Sequence, residues 1–239
     1  MKPAPRWTFR PRFVTTAAAV AFCVLSVALG NWQLRRAAEK ETGQAQREAR
    51  MRGESVVLTA RPIDAAAWAW RRIVVRGEFA SRYAILIDNR TRAGRAGYEV
   101  VVPLRIEGSD QYVLVNRGWV AQGRTRDELP SVPPPTGPVR VEGVAVIPPA
   151  QVFQLDDDAS AGRVWQRLDL DRYRSWSGLA LQPVVVLQTS EIDDGLLRRW
   201  PSPDSGAAKH TAYAAQWYIF AILTIIFYVA LNLKRVRAG

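Results

Sequence analysis

The chain contains one histidine, His210, and one cysteine, Cys23. Any nucleophile working through an imidazole base would have to use His210. An intrachain disulfide needs a second thiol, and a zinc site of His and Cys ligands needs more of them than the sequence holds. Tyr213, Ala214 and Trp217 follow His210 at i+3, i+4 and i+7, so the four share one face of a helix. An imidazole flanked by aromatic rings is a workable platform for a flat macrocycle, because histidine is a common axial ligand of haem iron. It is equally an ordinary interfacial histidine among aromatic residues at headgroup depth. A second group lies far away in sequence. At about 100° per residue, Trp32, Gln33, Arg36 and Lys40 fall within about a third of a helix circumference. That face suits an acidic group, such as a partner carboxylate or a cofactor propionate, or else an anchor with Trp32 at the headgroups and Arg36 snorkelling.

Both groups sit at the ends of apolar stretches. No charged residue occurs from Phe13 to Leu34, a run of about 22 residues or roughly 33 Å of helix, which matches a bilayer core. A second uncharged run, Thr211 to Leu233, has its aromatic residues crowded into its first half. The first run also has the basic flank and small residues of a cleavable signal, although it continues without a break into Trp32-Gln33-Leu34-Arg35-Arg36. Two spans leave both ends on one side: a basic tail at 1–12, spans at 13–34 and 211–233, a charged helical stalk at 35–54, a domain at 55–210 and a second basic tail at 234–239. Lys2, Arg6, Arg10 and Arg12 precede the first span and Lys234, Arg235 and Arg237 follow the second, so both tails are expected in the cytoplasm and the middle outside it. Those residues supply most of the formal net charge of +11. Cations beside anionic headgroups explain the basic excess without nucleic acid, and none is expected as a partner.

Between the spans the texture is β-rich. Arg72–Phe79, Tyr83–Asp88, Tyr98–Ile106, Gln111–Trp119, Val139–Ile147, Val164–Leu168 and Gln182–Leu187 read as short strands, with turns at Ala93–Gly97 and Glu107–Asp110. Short helices are expected after Pro62 and over Leu170–Ser177, and Gly43 is a candidate break in the stalk. The expected architecture is therefore two transmembrane helices flanking an extracytoplasmic α+β domain, a small barrel or sandwich of about seven strands. Its chemistry is thin, and no enzyme activity is expected. Asp156-Asp157-Asp158 alternates faces if extended and reads as a solvated loop. Asn89-Arg90 and Asn116-Arg117-Gly118-Trp119 each close an apolar run and are expected at one rim of the sheet, either for a partner or structurally, with Arg117 stacked on Trp119.

The order of these motifs resembles a known family. Leu29-Gly30-x-Trp32-Gln33-Leu34-x-Arg36-x-x-x-Lys40 is similar to the first-span signature of the surfeit locus protein family of cytochrome oxidase assembly factors. The likeness continues through Gly77-Glu78-Phe79, Asn89-Arg90, Gly97-Tyr98, Pro103-Leu104 and Val115-Asn116-Arg117-Gly118-Trp119-Val120, and ends at His210-x-x-Tyr213-Ala214-x-x-Trp217. The resemblance implies an inner (plasma) membrane protein that helps build haem-copper cytochrome c oxidase. It further implies haem a held at His210; from the residues themselves, Tyr213 and Trp217 would then cover one side of the ring and Lys40 or Arg36 would meet a propionate. Partners would be oxidase subunit I and the haem a synthesis or other assembly proteins, with the lipid bilayer as solvent. A two-span scaffold or sensor without haem is the alternative.

Overall fold

The first apolar run and the charged stretch after it form one helix in a computed structural model that describes residues 6–123, 128–148, 162–200 and 205–236. In chain order the elements are β1 (Arg6–Phe9), α1 (Phe13–Arg52), β2 (Val56–Val57), α2 (Ala65–Trp68), β3 (Arg72–Phe79), β4 (Ile85–Arg92), β5 (Arg95–Ile106), β6 (Gln111–Ala121), β7 (Pro138–Val146), β8 (Val164–Trp165), α3 (Leu170–Ser177), β9 (Ala180–Gln188), α4 (Ala207–Asn232) and β10 (Leu233–Val236). Gly43 does not break α1. A glycine inside a helix costs about 1 kcal/mol, little against the helix formers around it. Asp156-Asp157-Asp158 lies outside the described residues.

The chain divides into two compact units, one of Met1–Gln46 with Ser202–Gly239 and one of Arg47–Pro201. In the first, α1 and α4 are both long and apolar enough to cross a membrane. They run antiparallel in one register. The Thr16 and Tyr228 hydroxyls hydrogen-bond at 2.7 Å, the Cys23 thiol donates to the Ala221 carbonyl at 3.5 Å, and His210 meets Gln33 at 2.7 Å. Each pair of numbers sums to nearly the same value, as antiparallel neighbours must. Apart from Asn232 at the last position of α4, the buried residues of the pair are small: Ser26, Gly30 and Ala37 on α1, Ala207, Ala214 and Ala221 on α4. Small side chains at helix contacts in an apolar solvent let van der Waals packing replace the missing hydrophobic drive. A Cβ on Gly30 would stand 2.8 Å from the Tyr218 ring, so only glycine admits that ring. At the far end the two tails pair as antiparallel strands, with Arg6 opposite Val236 and Phe9 opposite Leu233.

In the second unit the strands join in the order β2-β3-β7-β9-β6-β5-β4-β8, and β3 also pairs with β5. That last pairing, Gly77 to Ile106 through Phe79 to Leu104, turns β3-β7-β9-β6-β5 into a hydrogen-bonded circuit. β5 achieves it by length: its first half pairs with β4 and its last residues with β3. Alternate residues of the circuit, among them Ile73, Val75, Leu104, Val113, Val115 and Val186, form one buried apolar cluster, the period-2 pattern of strands with one face inward. A second cluster on the other face, with Ile85, Leu114, Tyr173 and Val185, is covered by α3, which Asp169 caps by accepting from the Arg172 N–H. The strand expected at Val164–Leu168 shortens to two residues. An eighth strand, β2, is added by parallel pairing to β3, a partner too short to be signalled by its own sequence.

Candidate functional site

α4 begins at Ala207, so His210 lies in its first turn and its ring is half-buried against α1. The Nδ1–H donates to Oε1 of Gln33 at 2.7 Å. Among the described residues nothing hydrogen-bonds to Nε2. A neutral imidazole protonated at Nδ1 has its lone pair on Nε2, the form in which histidine ligates metals, and an acceptor on the other nitrogen is what holds that tautomer and ring plane. Tyr213 is 55% exposed, Trp217 is half-buried with its ring edge-on to Phe220 at 5.7 Å, and Ala214 is buried between the helices.

The face expected to gather Trp32, Gln33, Arg36 and Lys40 is split by its two edges. Gln33, at the edge nearest Gly30 and Ala37, turns into the helix contact, while Trp32 is 46% exposed. Arg36 is exposed and bonds Glu39 one turn on at 2.7 Å; Lys40 is exposed. By helix rise, Arg36 and Lys40 stand about 4.5 and about 10.5 Å beyond the Gln33 level on one side, and Trp217 about 10.5 Å beyond the His210 level on the other. Within this unit the order along the helix pair is therefore cations, imidazole, aromatics. Tyr218 was not anticipated. Its hydroxyl donates to Asn31 at 2.7 Å, and its ring fills the space over Gly30. The sequence signal was Gly30 itself, seven residues from both Cys23 and Ala37.

The second group is interior. Asn89-Arg90 and Asn116-Arg117-Gly118-Trp119 lie within β4 and β6 rather than after them. Val100 pairs with Gly118 and Val101 with Asn116, which leaves Arg117 as the extra residue of a β-bulge. The bulge aims its guanidinium away from Trp119. Arg117 is completely buried, over the Phe79 ring at 5.7 Å, and donates to Asp194 at 2.8 Å and to the Val132 carbonyl at 2.9 Å. The expected stacking on Trp119 is absent for that reason. Trp119 instead donates from Nε1 to the Arg90 carbonyl at 2.7 Å, and its backbone forms a bridge with Leu197. Gly118 has φ +142 and Leu196 pressed against it, a position closed to a side chain. Arg198 bonds the same Asp194 oxygen at 2.5 Å. Burial alone would raise the Asp194 pKa, but the Arg198 hydrogen bond, the Leu196 N–H and the two guanidinium charges hold it below the usual carboxylate value. Burial lowers the Arg117 pKa, with Asp194 opposing. Glu99 is a similar hub, accepting from Asn116 at 2.9 Å and Arg92 at 3.0 Å.

The model of the SURF1 family matches residues 20–222, which include both the His210–Gln33 pair and the Arg117 bulge. A SURF1-like protein of Monosiga brevicollis is 26% identical over 223 residues, spanning 88% of this chain and 85% of that protein. A SURF1-like protein of Rickettsia felis is 26% identical over 219 residues, spanning 88% and 92%. The cytochrome oxidase assembly protein SHY1 of Saccharomyces cerevisiae is 27% identical over 104 residues, which cover 43% of this chain and 27% of that protein. The match to the family model runs from the first apolar helix through the whole β-rich unit and well into the second helix, and this chain belongs to the SURF1 family.

Proposed function

We propose that this chain is an assembly factor for haem-copper cytochrome c oxidase, anchored in the cell's inner (plasma) membrane with its middle domain extracytoplasmic, and that it holds haem a at His210 for delivery to, or stabilisation of, nascent subunit I. The name of the yeast relative and the family membership support the assembly role. The observation that carries the haem reading is the His210 ring, with Nδ1 engaged by Gln33 and Nε2 free of protein partners among the described residues. Haem a, when bound, supplies an iron that accepts one imidazole nitrogen and propionates that accept cations.

The residues present fit that group. Gln33 holds the proton on Nδ1 and fixes the ring plane. Tyr213 and Trp217 offer an apolar wall on the membrane side of the imidazole, and Arg36 and Lys40 stand on the opposite side, where carboxylates would point. Arg36 would exchange its exposed Glu39 partner for a propionate. Surface ion pairs are worth about 0–1 kcal/mol, so that exchange costs little. The cations therefore tune affinity and orientation while coordination dominates. The test is the visible spectrum of the protein purified from cells that make haem a. A Soret band is expected in the wild type and not in His210→Ala, with Arg36→Ala retaining the ligation signature but losing haem more readily. A wild type without the band, or a His210→Ala protein with an unchanged spectrum, removes His210 from this role.

A further inference from the structure

At the tail end of the helix pair, opposite to His210, a cavity of about 520 Å³ opens between α1 and α4. Arg10, Arg12 and Lys234 line its mouth, and Ala19, Phe227 and Leu231 line its apolar part. From this arrangement we propose that the cavity is a binding site for an anionic phospholipid, its phosphate among the three cations and the first part of an acyl chain against the apolar residues.

The charge at this end has no internal answer. No Asp or Glu occurs from Met1 to Ala38 or from Ser205 to Gly239. The nearest acid along α1, Glu39, stands about 40 Å from Arg12 by helix rise. Cations at a membrane boundary without counter-charges recruit them from the headgroup layer, each worth about 1 kcal/mol near an anionic surface. Scattered charges would do this without a site, but here the geometry is fixed. The Arg10 N–H donates to the Asn232 carbonyl at 3.0 Å, β1 pairs with β10, and Thr16 bonds Tyr228 just below, so cations from both chain ends are held at one mouth. The apolar lining matches a lipid rather than a free ion. The lining reaches Ala19 on α1, six residues from its start at Phe13, and Thr224 on α4, eight residues from its end at Asn232, so the cavity runs about 9 and about 12 Å along the two helices. That depth takes a headgroup and the first methylenes. Phe227 is 60% and Leu231 79% exposed, and a chain laid against them would cover both.

The experiment is native mass spectrometry of the delipidated full-length chain after exposure to equal amounts of phosphatidylglycerol and phosphatidylcholine. Preferential retention of phosphatidylglycerol is expected. Arg10→Gln, Arg12→Gln and Lys234→Gln should each lower retention about fivefold, whereas Arg35→Gln, at the other end of the span, should not. Leu231→Ser, which removes apolar surface at a position 79% exposed without adding a charge, should also lower it. Equal retention of the two lipids overturns the proposal, as does an equal loss on Arg35→Gln. Full competition by inorganic phosphate, with Leu231→Ser unchanged, would overturn it in favour of a bare anion site.

Discussion

The bond between Gln33 and His210 separates two properties of a histidine that sequence cannot separate: where it is and which nitrogen it offers. Position alone leaves the imidazole free to protonate either nitrogen. An oxygen 2.7 Å from Nδ1 removes that freedom. Because the chain has a single histidine, 15N-labelled histidine gives one unambiguous pair of resonances for the full-length protein. The Nδ1–H form is expected in the wild type. Gln33→Met keeps the shape and removes the acceptor, so the population should shift toward Nε2–H. Gln33→Glu should restore the wild-type form. Haem retention should fall about 10–100-fold in Gln33→Met, the usual penalty for losing a partner that orients a ligand. An Nε2–H wild type would sink this account without touching the assembly role. His210, Tyr213 and Trp217 were legible as one face from spacing alone. Gln33 was found on the right helix but grouped with the cations, because a helical wheel gives angles and not which angle faces the neighbour. The buried Gly30 and Ala37 give that direction, and Gln33 lies about 40° from it while Trp32 lies about 140° away.

Among the elements, the bulge in β6 decides how the segment after β9 is held. Arg117 and Arg198 converge on Asp194, and the Trp119–Leu197 bridge extends β6 across that segment. Asp194 is the one carboxylate both guanidinium groups share, so Asp194→Asn leaves the buried Arg117 charge unpaired, which costs about 3 kcal/mol or more. Asp194→Asn should therefore speed amide exchange at Leu197 and Trp119 on the order of 100-fold or more, while amides in the β3–β7 pairing change far less; uniform loosening would mean the latch is not local. The same latch should be acid-sensitive. The Asp194 pKa is lower in the folded chain than in the unfolded one, so its contribution is complete above the unfolded value near about 4 and is lost as pH falls through the lowered folded value. Protection at Leu197 should fade in that window, and in Asp194→Asn it should be weak at every pH. Strands 72–79 and 111–119 were readable from β-branched alternation, and α3 from its Asp cap, because those signals are local. The bulge, the β3–β5 closure and the Asp194 partner depend on pairings across the chain. Asp194 lies 77 residues from Arg117, and no periodicity connects them.

For the whole molecule, antiparallel helices and paired tails mean that the two ends of the chain share one membrane face. The register from Thr16–Tyr228 to Gln33–His210 cannot form if one helix inserts the other way round. Topology is then a single binary choice, which the flanking charge decides. The tail face carries cations from both ends and no acids, whereas beyond Leu34 the cations Arg35, Arg36 and Lys40 share the helix with Glu39 and Glu41. Basic residues close to a span are retained in the cytoplasm, so the tails are expected there and the β-rich unit outside. A fluorescent reporter that matures only in the cytoplasm should be bright when fused after Gly239. The same reporter should be dark when inserted at Gly94, whose exposed turn has open space around it. A bright Gly94 insertion with a dark Gly239 fusion would invert the protein, placing His210 at the cytoplasmic boundary and the phospholipid cavity in the opposite leaflet. Brightness at both positions would mean that one of the helices does not cross, which the shared register makes the least compatible outcome.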